Sequence, residues 1–354
     1  MSAVPVLDAA PRGLARLLPG DRGALGASLF ALALALAVGA VLILASGRDP
    51  LAAYGALLAG ALGSPDRIAF ALNKATPYVL VAVGVALCFR ARVINIGGEG
   101  QIAMGGLAAT WLALNGAWLP APVLMPACLA AAMLGGAAWA GLASAIRLTR
   151  GVHEILCTLL LNFVALLLVA EVLKGEMGEP GAGFPQSPLL PQAAWLPRLP
   201  GSTLHLGFAL AAAAAIVGAL LLWRTTLGFR LRVVGASAKA AAYAGMSPAR
   251  ATLAAMLIAG ALAGLAGGVE VLGVHRRLIE GFSNGLGFTA IGIALIAGSN
   301  PLAALPAGLL FGLLEAGALS MQRGVGVPSS IVPIIQGLTM VFVLCALARR
   351  RPRI

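Results

Sequence analysis

Runs of about twenty apolar residues recur along the whole of this 354-residue chain. A helix that crosses the hydrocarbon core of a bilayer needs roughly 20 such residues. Hydrophobic residues make up 60% of the chain and charged residues only 10%, and the mean hydropathy is +0.97. A soluble domain carries about 25% charged residues, so this chain cannot cover a water-facing surface. The sequence therefore predicts an all-α polytopic membrane protein.

Ten segments are predicted to be transmembrane helices. The eighth is too short to cross alone at about 1.5 Å per residue, so we expect a half-helix there. The apolar stretch 51–63 is also short, and we expect it to be interfacial or re-entrant. The first span is longer than the apolar core of a secretory signal and more spans follow, so it is expected to be a retained helix. The ten spans are residues 28–46, 67–89, 98–115, 121–146, 152–173, 204–223, 251–273, 286–298, 301–320 and 331–348.

The basic residues predict the orientation. With the N-terminus in the cytoplasm, most of the 24 Lys and Arg residues fall in cytoplasmic segments, as the positive-inside rule requires. This bias predicts that both termini are cytoplasmic. Arg276 and Arg277 are exceptions, because the same topology places them on the outer side. The expected organisation is a cytoplasmic segment (1–27), a transmembrane domain (28–348) with an extracytoplasmic loop (174–203) and a cytoplasmic loop (224–250), and a basic cytoplasmic tail (349–354).

The two long loops differ in composition. The outer loop is rich in Pro and Gly, which predicts irregular or extended backbone. The inner loop holds five basic residues and no acidic one. Within it, 237–243 predicts a short helix bracketed by Gly235 and Gly245, and Ser247-Pro248 predicts the cap of the next span. Such a helix could dock into a groove on a partner; the alternative is a basic loop that contacts anionic lipid headgroups.

The third span begins with the sequence NIGGEGQ (95–101). Glycine costs about 1 kcal/mol per helical position relative to alanine, and a carboxylate in lipid costs more. Irregular backbone at membrane depth is tolerated only where protein or a watery cavity covers it. A broken helix start would point free N–H groups into such a cavity, where Glu99 and Gln101 bind a polar solute or pair to close an inner gate. The candidate path or gate residues are Asn95, Gly97, Gly98, Glu99, Gly100 and Gln101.

A second glycine-rich opening, GFSNGLG (281–287), precedes the eighth span, and adds Ser283 and Asn284 to the path candidates. If spans one to five and six to ten are two halves, spans three and eight are counterparts, and an odd number of spans per half requires the halves to be inverted. No residue-level repeat accompanies this hypothesis. Asn162, inside the fifth span, is a further path candidate, with a contact between helices as the alternative. The glycines at 105–106, 135–136 and 264–268 are expected to allow close helix packing.

The sequence lacks the residue patterns that several other functions require. None of the three lysines follows a glycine, so the chain has no GxxxxGK[ST] phosphate-binding loop, and any ATP would be bound by another subunit. The four cysteines have no CxxC spacing and the three histidines no ligand spacing, so we expect no metal site, no cofactor and no catalytic centre. The net charge of +12 is dispersed over the ends of apolar runs, which argues against nucleic-acid binding.

Four segments together resemble bacterial permeases of ATP-binding-cassette (ABC) importers, in the branch that takes up nucleosides and simple sugars. They are FRARVINIGGEGQIAMGG (89–106), GVHEILCTLLLN (151–162), LGFRLRVVGASAKAAAYAGM (227–246) and LGFTAIGIALIAGSNPLAALPAG (286–308). Ribose and branched-chain amino-acid permeases are more distant relatives. The resemblance covers most of residues 67–348. It implies a transport subunit, not an enzyme, that carries nucleosides by alternating access, with ribose-like sugars as the alternative cargo.

The resemblance also implies partners and a location. The partners are a paralogous second permease, a cytoplasmic ATPase with two nucleotide-binding halves and an extracytoplasmic solute-binding protein. The location is the bacterial inner membrane, whose lipid surrounds the permease. On this basis the inner loop couples to the ATPase, although Ala236-Ser237-Ala238 replaces the acidic or Asn-containing stretch usual in the family. The implied coupling residues are Gly228, Arg230, Arg232, Gly235, Ala241, Tyr243 and Gly245.

An ion-coupled secondary transporter is the alternative of a different class. It would share the ten spans and the inverted halves. It also needs a buried carboxylate relay near the midplane of the membrane, for which the sequence offers only Glu99. The basic inner loop has no purpose in that scheme.

Overall fold

All the regular elements in the part of the chain that the structure describes are helices. The computed structural model describes residues 22–348; most of the predicted N-terminal segment (1–21 of 1–27) and the whole basic tail (349–354) lie outside the described residues. The α-helices are α1 (Arg22–Ala45), α2 (Pro50–Leu62), α3 (Pro65–Arg90), α4 (Gly98–Asn115), α5 (Ala121–Arg150), α6 (Glu154–Lys174), α7 (Gly207–Arg224), α8 (Thr226–Ala236), α9 (Ala238–Tyr243), α10 (Pro248–Val269), α11 (Leu286–Ile296), α12 (Ala304–Val325) and α13 (Ile331–Ala348). A π-helical turn, Glu270–His275, extends α10.

Each of the ten predicted spans corresponds to a helix, so the all-helical prediction is confirmed. Six of the described helices are long and apolar enough to cross a membrane alone: α3, α5, α6, α7, α10 with its π-helical turn, and α12. Helices α1 and α2 meet the same criterion only as a pair, bent by 119°. Helices α11 and α13 are apolar but shorter. The count of ten crossings and the orientation of the termini therefore remain predictions.

The two short apolar segments both form short helices. Helix α11 has 11 residues, which gives a length of about 16 Å, half of a membrane crossing. Helix α2 turns back sharply from α1 after Gly47, whose φ of 75° lies in the left-handed region. Asp49 caps α2 by accepting hydrogen bonds from the N–H groups of Leu51 and Ala52. The bent α1–α2 pair is compatible with a broken span or with a re-entrant loop, so the expectation for 51–63 stays a prediction.

The outer loop lies over the segment that follows α10. Its backbone N–H groups donate to the carbonyls of that segment: Ser187 to Leu278 at 2.8 Å and Leu190 to Arg276 at 2.9 Å. Apart from a short 3₁₀ turn at Gln192–Ala194 it contains no helix, as its prolines predicted. The loop therefore fixes the position of residues 272–279.

The inner loop forms the helix pair α8–α9. Ser237 caps α9 by accepting from the N–H of Ala240, so the short helix predicted at 237–243 begins one residue later, at Ala238. Ser247 caps α10 by accepting from the N–H of Arg250, as predicted. Gly245 has a φ of 77° and ends the helical pair. The expectation that Gly235 breaks the helix was wrong, because Gly235 lies within α8. A Cβ atom at Gly235 would overlap with the carbonyl of Arg90, so this glycine permits close packing of α8 against the end of α3.

Helix α3 lies at the centre of the bundle, and small residues bring its neighbours close. Its residues are buried almost without interruption from Ala75 to Cys88. Helices α4, α5 and α10 meet backbone to backbone, because Cβ atoms on Gly105, Gly136 or Gly264 would overlap with main-chain atoms of the adjoining helix. The predicted packing role of these glycines is confirmed.

Replacing Gly264 by leucine is expected to destabilise this three-helix contact by about 3 kcal/mol, because the new side chain must displace the backbone of α5. The same change at Gly55, where no atom lies within 4 Å, is the matched control. Thermal unfolding of the detergent-solubilised protein measures both. Equal stability of the two variants would contradict the packing described here.

Candidate translocation site

The irregular start of α4 is enclosed by side chains of α6. Asn162 accepts a hydrogen bond from the N–H of Gly100 at 2.8 Å and donates to the carbonyl of Ile96 at 2.9 Å. Thr158 accepts from the N–H of Ile96 at 3.3 Å. These contacts satisfy backbone groups that the broken helix leaves unpaired inside the protein. In this structure Asn162 joins α6 to the start of α4.

Asn95 and Gln101 form a reciprocal pair inside the same turn. The amide of each donates to the amide oxygen of the other at 3.1 Å, and Asn95 also accepts from the N–H of Gly97 at 2.9 Å. Both side chains are 1% exposed. Gln101 is thus paired with Asn95 and not with Glu99, the pairing that a gate at this position would need.

Glu99 connects the start of α4 to the start of α11. One carboxylate oxygen accepts from the N–H of Gly285 and the other from the N–H of Gly287, both at 2.8 Å. The side chain is 3% exposed. A Cβ atom on Gly287 would overlap with the backbone of Glu99, so the two helices begin in direct contact. The carboxylate stabilises the positive N-terminal ends of both helix dipoles.

These contacts place the predicted path residues in two groups. Ser283 and Asn284 line a cavity, described next. The other seven are buried in the hydrogen-bonded cluster at the head of α4: Asn95, Gly97, Gly98, Glu99, Gly100, Gln101 and Asn162. Their assignment to a path or gate stays a prediction.

A polar cavity of about 600 Å³ lies next to this cluster. It is enclosed by α3, α12, α13 and the segment from Glu270 to Thr289, so four separate stretches of chain contribute to its wall. Its volume is within the range of small-molecule sites, roughly 300–1,000 Å³. Its polar and aromatic lining residues are Lys74, Tyr78, Glu270, His275, Glu280, Phe282, Ser283, Asn284, Thr289, Glu315, Gln322, Ser329 and Gln336.

The charged groups of the cavity are only partly paired with one another. Lys74 forms an ion pair with Glu315 at 3.0 Å, and the Tyr78 hydroxyl donates to the other oxygen of the same carboxylate. Glu270 lies 3.6 Å from Nε2 of His275. The Lys74 and Glu315 side chains are 31% and 29% exposed, so a solute in the cavity could reach them.

The part of the cavity wall formed by Ser283 and Asn284 has an unusual backbone conformation and one unpaired hydroxyl. Asn284 has a φ of 37°, which is unusual for a residue other than glycine. The Ser283 hydroxyl is buried and has no hydrogen-bond partner among the described residues. Because Gly285 and Gly287 are held by Glu99, the buried cluster fixes the segment that presents Ser283 and Asn284 to the cavity.

The far end of α11 is attached to the end of α3. Arg90 donates to the carbonyls of Ser299 and Gly298, just beyond the end of α11, at 2.9 and 3.1 Å. The Arg90 guanidinium also lies over the ring of Trp223, and Arg232 of α8 lies over the same ring at 4.9 Å. Helix α11 thus runs from the cavity to Arg90 at the end of α3, which shares the Trp223 ring with Arg232 of α8.

The implied coupling residues differ in exposure. Gly228, Gly235 and Ala241 are buried and permit packing, whereas Arg230, Tyr243 and Gly245 are exposed. Tyr243 is 94% exposed at the end of α9. Their coupling role stays a prediction, with the exposed members forming the surface available to a partner.

Sequence reasoning did not place four cavity residues in a site: Lys74, Tyr78, Glu270 and Glu315. The available signal was the presence of ionisable residues within apolar spans, which usually marks a functional position. Among residues 22–348, no group of three or more His, Cys, Asp or Glu side chains could hold a metal ion.

A polar cavity inside a bundle of apolar helices, next to two helices that begin within the protein, defines a membrane-embedded solute permease. The chain belongs to the family described as branched-chain amino acid transport system, permease component, whose model matches residues 67–344. It is a multi-pass membrane protein and the permease subunit of an ABC importer, a transport subunit and not an enzyme, as predicted. Such permeases work with an ATPase and a substrate-binding protein.

The chain is similar along most of its length to three named permeases. It is 37% identical to the glucose ABC transporter permease protein TsgB13 of Haloferax volcanii, over 94% of this chain and 90% of the relative. It is 35% identical to the guanosine ABC transporter permease protein NupP of Bacillus subtilis, over 91% and 93%. It is 30% identical to the nucleoside ABC transporter permease protein NupB of Lactococcus lactis, over 89% of each. No solved structure matches the chain.

Replacing Glu99 by glutamine is expected to destabilise the protein by about 2 kcal/mol, because one of the two N–H groups at the start of α11 then faces an amide N–H₂ inside the protein. Thermal unfolding in detergent measures the change. Glu171→Gln, at an exposed position of α6, is the matched control. If both variants unfolded at the temperature of the unmodified protein, Glu99 would not hold the two helix starts together.

Proposed function

We propose that this permease imports nucleosides. The observation that carries the proposal is the polar cavity, which combines hydrogen-bonding side chains with the aromatic rings of Tyr78 and Phe282. A nucleoside needs both, because its base has apolar faces and its sugar carries hydroxyl groups. The similarity to the guanosine permease NupP and the nucleoside permease NupB supports this cargo.

Simple sugars are the second candidate cargo. The similarity to the glucose permease TsgB13 favours them, and the polar lining of the cavity suits a hexose as well as a ribose-like sugar. Leucine and related amino acids are less suited, because their aliphatic side chains would face the charged wall of Lys74, Glu270 and Glu315.

The proposed assembly is an importer of the bacterial inner membrane. It comprises this chain, a paralogous second permease, an ATPase with two nucleotide-binding halves in the cytoplasm and a solute-binding protein on the outer side. ATP is bound by the ATPase, and this chain needs no cofactor. The proposed topology has ten spans in two inverted halves with both termini cytoplasmic and with the domain bounds given above. The direct contact between the starts of α4 and α11 supports it, because the two predicted counterpart helices then begin side by side within the bundle.

The proposed mechanism is alternating access driven through α11. ATP binding closes the ATPase, which moves the docked α8–α9 pair. Arg232 and Arg90, both over the ring of Trp223, pass this movement to the end of α11. The opposite end of α11 carries the cavity residues Ser283 and Asn284, so the cavity wall shifts with it. ATP and solute each shift the equilibrium only by their differential affinity for the two states.

Replacing Tyr243 by alanine is expected to reduce solute-stimulated ATP hydrolysis by the assembled importer at least tenfold. Tyr243 is exposed in this chain alone, and a tyrosine that becomes buried when a partner docks is a frequent hot spot of interfaces. Thermal stability of the permease should not change, since the side chain contacts solvent. Trp118→Ala, an exposed aromatic residue in the α4–α5 connection, is the matched control and should leave hydrolysis unchanged. Normal hydrolysis by the Tyr243 variant would contradict docking through the end of α9.

Uptake of labelled guanosine by cells with and without this gene tests the cargo. Deletion is expected to abolish uptake, and unlabelled adenosine is expected to compete, whereas leucine is not. Competition by glucose or ribose in place of adenosine would establish the sugar alternative. Uptake that persists undiminished after deletion would refute guanosine transport by this chain.

A further inference from the structure

The cavity contains hydrogen-bonding capacity that the protein itself does not use. The 3.6 Å contact with His275 is the one polar partner of the Glu270 carboxylate among the described residues, and a carboxylate accepts about four hydrogen bonds. Glu315 accepts from Lys74 and Tyr78 but keeps lone pairs on both oxygens. These acceptors are available to donors that enter with a solute.

The Ser283 hydroxyl is a second, independent sign of unused hydrogen-bonding capacity. Residue Ser283 is 1% exposed and is among the residues that line the cavity, and its buried hydroxyl has no hydrogen-bond partner among residues 22–348. A buried polar group without a partner costs about 1–3 kcal/mol, so such groups are rare unless a ligand or water completes them. A hydroxyl is both donor and acceptor, and it pairs well with another hydroxyl.

We propose that Glu270, Ser283 and Glu315 bind the hydroxyl groups of a neutral sugar ring, the part that nucleosides and hexoses have in common. This inference rests on the proposed function and names the portion of the solute that the permease recognises. Two adjacent hydroxyls of a ring can donate together to one carboxylate. Lys74, held against Glu315, supplies a donor to the oxygen atoms of the same ring.

The charge of the wall restricts the solute to a neutral one. Its lining includes the carboxylates of Glu270, Glu280 and Glu315 against the single ammonium group of Lys74. A phosphate group in this cavity would face uncompensated negative charge at low dielectric. The site therefore accepts a nucleoside or a free sugar and excludes a nucleotide or a sugar phosphate.

The proposed site for the sugar ring lies between two parts of the wall that can move relative to each other. Ser283 belongs to the segment that Glu99 attaches to the start of α11, whereas Glu315 belongs to α12. A solute bound to both residues bridges the part of the wall that moves with α11 and a neighbouring helix. Displacement of α11 then separates the two binding groups and releases the solute.

The test compares guanosine with 2′,3′-dideoxyguanosine and guanosine monophosphate as competitors of labelled guanosine uptake by cells that contain the complete importer. The unmodified permease should take up guanosine, with the dideoxy analogue at least tenfold weaker as a competitor and the monophosphate without effect. The solute-binding protein also contributes to this preference. The informative quantity is therefore the ratio of the competing strengths of guanosine and its dideoxy analogue, and how that ratio changes when only the permease is altered.

Two variants alter the permease side of the site. Glu270→Gln keeps the size of the side chain and Ser283→Ala removes one hydroxyl, so failure of one to insert in the membrane leaves the other. Each is expected to lower guanosine uptake about tenfold. Each should also bring the competing strengths of guanosine and its dideoxy analogue closer together. Glu176→Gln, an exposed carboxylate of the outer loop that does not line the cavity, should change neither quantity.

The outcomes separate this inference from the proposed function. Uptake of guanosine with an unchanged ratio in both inserted variants would overturn hydroxyl recognition and leave nucleoside import standing. If glucose and not guanosine is the cargo, glucose and 2-deoxyglucose replace the nucleoside pair and the same change of ratio is expected. Uptake of neither solute by the unmodified importer would overturn the proposed function and, with it, this inference.

Discussion

The carboxylate of Glu99 allows two helices to begin inside the protein. Helices α4 and α11 start among packed helices, with Gly98 and Leu286 buried, and each start carries the positive end of a helix dipole. One carboxylate accepts from Gly285 and Gly287 while itself belonging to the first turn of α4, so it stabilises both ends. The glycines follow from the same constraint, because any side chain at Gly287 would separate the two backbones.

Helix α11 extends from that contact, beside the cavity, towards Arg90 at the end of α3. The helix is short, about 16 Å, and its two ends are held by different parts of the protein: Glu99 at the start and Arg90 at the end. In the proposed mechanism, a displacement of α8 reaches Arg90 through Trp223 and shifts the short α11 as one unit, which changes the position of Ser283 in the cavity wall.

The sequence predicted the helices well and the cavity poorly, for different physical reasons. Apolar runs and capping residues are local, so the bounds of α4 and the cap at Ser247 could be found by inspection. The pairing of Lys74 with Glu315 joins residues 241 positions apart, which no local pattern reveals. The same holds for Glu99 and Gly285, 186 positions apart, although both glycine-rich segments were recognised as unusual. The mistaken role of Gly235 has the same origin, since its partner, the carbonyl of Arg90, lies on another helix.

A site with these contacts suits passage more than retention. Glu315 already holds Lys74 and Tyr78 before a solute arrives, so binding adds hydrogen bonds without relieving an unpaired charge. The net gain per hydrogen bond is then modest, roughly 0.5–1.5 kcal/mol, and a few such bonds give weak affinity. Weak affinity in the permease is the favourable case when a separate binding protein captures the solute, because a tightly held solute would resist release on the cytoplasmic side. The incomplete pairing of Glu270 and Ser283 is then sufficient to select the ring without trapping it.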